Sequence, residues 1–236
     1  MVCAKIASSG EERKGFWMLK VVVYDCGYGG EFFADQLESE LPIMDIIRVI
    51  DWRKANQIQS SPKEARRIAL SDLRPYIGHV DLIILANHLL TLTSLKFFRR
   101  KFKDQQFVGL RLSEPSSPPK QEIIVLTTKA VTRTLQYCNF ALRFRHRVKT
   151  FALDAWPEKI DDGELSATEI RNTLGDLASQ KNYSREILLG CSQFHDIRPE
   201  LSKMFGVNIR IQDGFNDTIR ETCQVLKIRG GKKKLK

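Results

Sequence analysis

Residues 20–30 read KVVVYDCGYGG, a run of β-branched residues that ends in a polar, glycine-rich turn. Three consecutive valines are typical of a strand buried on both faces, as in a parallel sheet. The glycines permit a tight turn and close approach of a ligand to the backbone, or they serve the turn alone. We expect no nucleotide site, because Phe32 stands where G-x-G-x-x-G needs its third glycine and no Gly-Lys-Ser/Thr phosphate loop exists.

The alternation of short apolar runs with amphipathic stretches continues along the whole chain. Strands are predicted at 20–26, 45–51, 81–87, 106–110, 122–128, 148–154, 185–191 and 207–213. Helices are predicted near 30–41, 62–77, 89–102, 129–144, 166–180, 196–205 and 214–227. This order predicts an α/β fold made of parallel sheets that are flanked by helices.

A proline-rich stretch, Leu112–Pro119, divides the chain into two similar lobes, since consecutive prolines end helices and central strands. The predicted division is an N-terminal extension at 1–18, a first lobe at 19–111 plus 209–228, a second lobe at 112–208 and a basic tail at 229–236. The first lobe thus receives the C-terminal helix back.

Composition excludes several classes of protein. The chain has 236 residues, of which 42% are hydrophobic and 28% charged, as in a globular protein with a core. No apolar run is long enough for a membrane span, and residues 1–18 lack the apolar stretch of a secretory signal, so we expect a cytoplasmic protein without a membrane partner. Five scattered cysteines without a C-x-x-C pair predict free thiols and no metal site.

The net charge of +10 is concentrated in two regions. Residues 96–149 hold thirteen basic and three acidic residues, and residues 227–236 hold six basic residues and no acidic one. Basic residues and aromatics at 129–149 are compatible with nucleic-acid binding or with docking of a protein partner. The structural alternative places Leu135, Cys138 and Leu142, and with them Phe140 and Phe144, against the sheet, with the arginines in solvent.

Candidate site residues lie where the strands end, because ligands of open α/β sheets bind at the carboxyl ends of strands. These residues are Asp25, Cys26, Asp51, Asn87, Thr127, Thr128, Cys191 and Ser192. A thiol at a helix N-terminus has a stabilised thiolate, which would make Cys191 a nucleophile or a proton-abstracting base. A buried structural cysteine is the alternative.

Several of these segments together resemble the aspartate/glutamate racemase superfamily, and within it the glutamate racemases, over most of residues 19–228. The family's first strand ends Asp-Ser-Gly-x-Gly-Gly, similar to Asp-Cys-Gly-Tyr-Gly-Gly at 25–30. The family's Leu-Gly-Cys-Thr-His-Tyr-Pro is similar to residues 189–195. Asp213-Gly214 resembles a late family turn, and Thr127 matches a substrate-binding threonine, whereas the family's next threonine falls on Ala130.

The resemblance implies a cofactor-independent transfer of an α-proton in an active-site cleft between the lobes. In the family, two cysteines serve opposite faces of the α-carbon, since a single group serves only one face. Here the family's Cys-Asn-Thr reads Ala86-Asn87-His88, so the first cysteine is missing. Gln193 replaces the histidine beside Cys191, and the family's Pro-Tyr-Gly loop is absent after Asp51.

The sequence therefore predicts a glutamate racemase-like protein whose cleft binds an amino acid or small dicarboxylate without two-cysteine racemisation. One alternative is an active pyridoxal-phosphate-independent isomerase in which Cys26 and Asp25 substitute for the missing cysteine. Others are a one-cysteine lyase or decarboxylase using Cys191, and a regulatory or nucleic-acid-binding protein. The predicted substrate-binding residues are Asp25, Cys26, Asn87, Thr127 and Ser192, and Cys191, Asp25 and Cys26 are the catalytic candidates. A homodimer is a further expectation.

Overall fold

The computed structural model describes residues 18–115, 122–145, 147–179, 186–206 and 208–233, without the side chains of 56, 59, 60 and 228–233. The predicted N-terminal extension (except residue 18), the end of the proline-rich connection and residues 234–236 lie outside these ranges.

Two four-stranded parallel sheets form the centres of two lobes. The first sheet contains β1 (Leu19–Asp25), β2 (Met44–Ile50), β3 (Leu82–Leu85) and β4 (Phe107–Gly109), in the order β2-β1-β3-β4. The second contains β5 (Ile123–Thr127), β6 (Val148–Ala152), β7 (Glu186–Leu189) and β8 (Arg210–Gln212), in the order β6-β5-β7-β8. The prediction of two similar parallel lobes is confirmed, and a strand overlaps each of the eight predicted segments.

Ten α-helices within the described ranges flank these sheets. They are α1 (Gly29–Glu40), α2 (Ala55–Ser60), α3 (Pro62–Leu73), α4 (His88–Lys101), α5 (Lys129–Thr132), α6 (Leu135–Arg143), α7 (Trp156–Asp161), α8 (Ala167–Ser179), α9 (Arg198–Phe205) and α10 (Phe215–Lys233). Short 3-10 helices span Trp52–Lys54 and Ser192–His195.

The valine run of β1 is buried on both faces, as its sequence predicts. Val21 and Val23 belong to a core with α1 and α10, whereas Val22 and Tyr24 belong to a second core with α3 and α4. Covering helices on both faces explain why β1 carries no charged residue between Lys20 and Asp25. The first carboxylate of the strand, that of Asp25, therefore lies at the carboxyl end of the sheet.

The return to the first lobe lies later than predicted. Arg210–Gln212 pairs with β7, so residues 209–212 belong with the second sheet, and the chain leaves that sheet at Asp213. Helix α10 then packs on the first lobe through Phe215, Ile219 and Leu226, and its backbone continues to Lys233 instead of ending near 228. The short strand β8 supplies too little apolar sequence to show which sheet it joins.

The predicted helix at 129–144 is broken, and its buried face differs from the prediction. Thr134 caps a new helix by accepting a hydrogen bond from the backbone N–H of Tyr137, at 3.2 Å. The buried face is then formed by Tyr137 with Phe140 and Phe144, while Leu135 and Leu142 are 71% and 65% exposed. Cys138 is exposed as well. Both stripes have helical spacing, and the aromatic one covers more of the sheet.

Candidate functional site

The carboxyl ends of both sheets face one small cavity between the lobes. Its wall contains Cys26, Ala55, Ile58, Asn87, His88 and Leu89 from the first lobe, and Thr128, Val131, Pro157, Gly190, Cys191, Ser192 and Gln193 from the second. The cavity measures about 30 Å³, which is room for about two water molecules. Pockets for small ligands are about ten times larger, so binding needs the lobes to separate.

Asp25 ends β1 and joins the two lobes from behind the cavity wall. Its carboxylate accepts hydrogen bonds from Asn87 Nδ2 at 2.8 Å, the Cys26 amide at 2.6 Å and Ser192 Oγ at 2.9 Å. The side chain is fully buried and does not line the cavity. Burial raises the pKa of Asp25 to about 7, against these hydrogen bonds, which lower it. Asp25 therefore positions the cavity residues and titrates near neutral pH.

Asn87 holds the corresponding position after β3. Its Oδ1 accepts a hydrogen bond from the Leu90 amide at 2.9 Å and so caps α4, while its Nδ2 donates to Asp25. Both ends of the amide are thus fixed by the protein. Asn87 also lines the cavity between the lobes.

Cys26 lines the cavity but is tied to a buried polar chain. Its Sγ lies 3.3 Å from Tyr24 Oη, which donates to Asp72 at 3.0 Å, and Asp72 accepts from Lys54 Nζ at 2.7 Å. Burial, with the Asp25 and Asp72 carboxylates, raises the pKa of Cys26 to about 12, against the hydrogen bond with Tyr24, which lowers it. Cys26 is therefore a protonated thiol at neutral pH.

Cys191 follows β7 on the opposite wall of the cavity. Its thiol donates to Gln193 Oε1 at 3.0 Å, and Gln193 Nε2 donates to Asp161 at 3.3 Å. Burial raises the pKa of Cys191, and the Asp25 and Asp161 carboxylates add to this effect. Burial therefore opposes the predicted stabilisation of the thiolate by the amides of the one-turn 3-10 helix. At neutral pH this thiol is a proton donor.

One further acid and two backbone segments connect the lobes around Cys191. Asp161, at the end of α7, accepts a hydrogen bond from the Tyr28 amide of the first lobe at 3.3 Å. Burial raises the pKa of Asp161 to about 6, and the hydrogen bond from Gln193 lowers it. Gly29 has no side chain because Ser192 fills the space that a Cβ would need. The glycines after β1 therefore allow the lobes to touch.

Thr127 and Ala86 lie away from the cavity. The Thr127 hydroxyl donates to the Gly190 carbonyl at 3.1 Å, and the side chain is fully buried. Its neighbour Thr128 lines the cavity instead. Ala86 is fully buried in the first-lobe core with α1 and α10. The strand end at this position therefore presents neither a thiol nor any other proton donor to a ligand.

Sequence reasoning missed three contributors to the site. Ile58 of α2 closes one side of the cavity, and Asp161 supports Gln193. His88 lies in the wall directly after Asn87. Only His88 had a signal in the sequence, since it follows a strand-end asparagine.

Comparison with known proteins identifies this architecture. Glutamate racemase of Clostridium novyi is 24% identical over 202 residues, covering 81% of this chain and 77% of that protein. The crystal structure of Escherichia coli glutamate racemase, in complex with L-glutamate and an activator, UDP-MurNAc-Ala, has a TM-score of 0.75 at 20% identity, with 89% and 82% of the two chains covered.

The chain has the glutamate racemase fold. An aspartate racemase homologue from Pyrococcus horikoshii has a TM-score of 0.54 at 12% identity, covering 90% of this chain and 99% of that chain. The predicted resemblance to the aspartate/glutamate racemase superfamily is thereby confirmed. No protein-family model matches the sequence.

The described part of the chain contains neither a metal site nor a membrane-spanning helix. Among the side chains that the structure describes, no group of three His, Cys, Asp or Glu residues is placed to hold a metal ion. In the same part of the chain, no helix combines the length and apolar character needed to cross a membrane.

Proposed function

We propose that the cleft binds an acidic amino acid or a small dicarboxylate and that the protein is not a two-cysteine racemase. The observation that carries this proposal is the convergence of Asn87, Cys191 and Ser192, from both sheets, on one cavity whose first-lobe strand ends in Ala86. The E. coli glutamate racemase structure contains L-glutamate, which supports an acidic amino acid as the ligand class.

Opening of the cavity breaks apolar as well as polar contacts between the lobes, since Leu89 and Leu92 of α4 pack against the second-lobe core. The lobes are joined near the site by the hydrogen bonds from Ser192 Oγ to Asp25 and from the Tyr28 amide to Asp161. A hydrogen bond of this kind contributes about 1 kcal/mol net, because water replaces the lost partner. Separation of the lobes then exposes Asn87 and Ser192, whose amide and hydroxyl groups are suited to carboxylates.

Two-cysteine racemisation lacks its first-lobe cysteine. Ala86 has no exchangeable proton, and Cys191 by itself can exchange protons with one face of the α-carbon only. Cys26 does line the cavity, but its thiol is already hydrogen-bonded to Tyr24 Oη. The cytoplasmic location, the homodimer and the absence of a cofactor remain predictions from the sequence.

Protection of Cys191 from alkylation tests the proposal. The protein is treated with iodoacetamide, with and without L- or D-glutamate or aspartate, and each cysteine is quantified by mass spectrometry. We expect at least one amino acid to slow the modification of Cys191. Cys138, an exposed thiol on α6, is the matched control and should react at the same rate throughout. Unchanged labelling of Cys191 with all four amino acids would contradict the proposal.

A further inference from the structure

His88 is a buried polar residue that the protein does not satisfy. It begins α4, is 2% exposed and lines the cavity between the lobes. One ring nitrogen lies against the Arg111 backbone carbonyl, and neither ring nitrogen makes a hydrogen bond of normal geometry to the described residues. Each unsatisfied buried polar group costs about 1–3 kcal/mol, so natural structures retain few of them without a functional reason.

The electrostatic surroundings keep this imidazole neutral. Burial lowers the pKa of His88 to about 4, against the Asp213 carboxylate and the Arg111 carbonyl, which raise it. Asp213 is already paired with His195, at 2.8 Å, and with Arg198. At neutral pH the ring therefore keeps a free lone pair, which is what a general base requires.

We propose that His88 is the first-lobe acid–base residue that works opposite Cys191 on the α-carbon of an amino acid bound in the cavity. The inference rests on the proposed function, since it needs that ligand. His88 comes from the β3–α4 junction of the first lobe, and Cys191 follows β7 of the second, so the two groups approach a ligand between the lobes from opposite sides. His88 lies two positions after Ala86, at the same strand end.

The proton transfer balances with these two neutral groups. The imidazole nitrogen of His88 takes the α-proton as the Cα–H bond breaks, and the electron pair passes into the adjacent carboxylate as an enediolate. The Cys191 thiol then gives its proton to the opposite face of Cα. After this transfer His88 is an imidazolium and Cys191 is a thiolate. Transfer of one proton from His88 to Cys191 through water restores the starting state. No oxidant or cofactor takes part.

Cys26 is a weaker candidate for this role. Its Sγ already lies 3.3 Å from Tyr24 Oη, and burial raises the pKa of the thiol to about 12. Asp25 does not reach the cavity wall. Cys26 and His88 are the titratable first-lobe residues that line the cavity, and of the two only His88 has titratable atoms without a side-chain hydrogen-bond partner.

Deuterium exchange at Cα tests the inference. L- and D-glutamate and aspartate are incubated with the protein in deuterated water, and proton NMR measures loss of the α-proton and formation of the other enantiomer. We expect exchange with inversion for at least one pair. His88→Gln should lower the rate by roughly 100-fold or more, the usual contribution of a general base. His79→Gln, at an exposed turn, is the matched control and should leave the rate unchanged.

The pH profile of the unmodified protein supplies a second readout that does not depend on how the variant folds. A neutral imidazole predicts a rate that falls as pH decreases toward about 4, below the pKa values of about 7 and 6 at which the buried Asp25 and Asp161 carboxyls beside the cavity titrate. A rate that instead rises with thiol ionisation, or an unchanged rate in His88→Gln, would overturn the inference. Saturation-transfer NMR on the same samples measures binding of the amino acids. Binding without exchange would refute only the role of His88 and would leave the proposed function intact. Absence of binding would refute the proposed function.

Discussion

Replacement of Asp25 by asparagine should remove a large pH dependence from the stability of the protein. The carboxyl group is fully buried, and burial raises its pKa from 3.8 to about 7. Between these values the folded state holds a proton that the unfolded chain has released, so stability falls as pH rises from about 4 to about 7. Each pKa unit corresponds to about 1.4 kcal/mol, which gives a total loss of about 4 kcal/mol.

Asparagine at position 25 keeps most of the local hydrogen bonds. Its carbonyl oxygen accepts from Asn87 or the Cys26 amide, and its amide donates to the Ser192 hydroxyl, which is able to accept. The variant therefore isolates the electrostatic effect from the geometric one. Relative to the unmodified protein, the variant should gain about 4 kcal/mol in unfolding free energy between pH 4 and pH 8.

Urea denaturation at both pH values measures this difference. Asp45→Asn, an exposed carboxylate on β2, is the control for a general charge effect and should show little change. If the stability difference between Asp25→Asn and the unmodified protein is the same at pH 4 and pH 8, the carboxylate is ionised in the folded state throughout. The assignment of a neutral-range titration to Asp25 would then be wrong.

Three other substitutions test the packing and charges around the site. Gly29→Ala should cost about 1–3 kcal/mol in urea denaturation, because its Cβ would overlap Ser192; stability equal to that of the unmodified protein would show that the lobes do not touch there. Ala86→Cys should cost a similar amount and leave enantiomer interconversion, followed by polarimetry, unchanged, because position 86 faces the core; a rise in rate would contradict this orientation. Against burial, which raises the pKa of Asp213, the hydrogen bond from His195 and a nearby arginine lower it to about 2. The ionised Asp213 carboxylate therefore stabilises the folded state, and this stabilisation is lost as pH falls from about 4 to 2. Asp213→Asn should therefore cost about 2 kcal/mol in urea denaturation at pH 7 and nothing near pH 2, and an equal cost at both would exclude the ion pair.

Much of the fold follows from local sequence. The valine run at 21–23 and the apolar runs of β3, β4, β5 and β7 are buried on both faces, so the type and order of these strands could be read without tertiary information, whereas β2, β6 and β8 are partly exposed. The residues that cap the helices are also determined by local sequence, as Asn87 at the start of α4 shows. The packing of α6 was not predictable in this way, since two stripes of one helix had equal spacing and different partners.

The site required contacts between distant segments. Thr127 and Thr128 are adjacent in sequence, and the bond from Thr127 to the Gly190 carbonyl decides which of them reaches the cavity. The raised pKa of Cys191 comes first from burial between the lobes, which no local motif reveals. Asp161 joins the site through Gln193, more than thirty positions away. Sequence patterns thus located strand ends but not their neighbours across the cleft.

Calorimetric titration of the purified protein with L-glutamate, D-glutamate, L-aspartate and D-aspartate tests the central claim most directly. The account predicts saturable one-site binding of at least one of these ligands. Asn87→Leu should weaken that binding at least several-fold, because the amide lines the cavity. A folded protein that gives no saturable heat with any of the four would contradict the claim that this cleft recognises acidic amino acids.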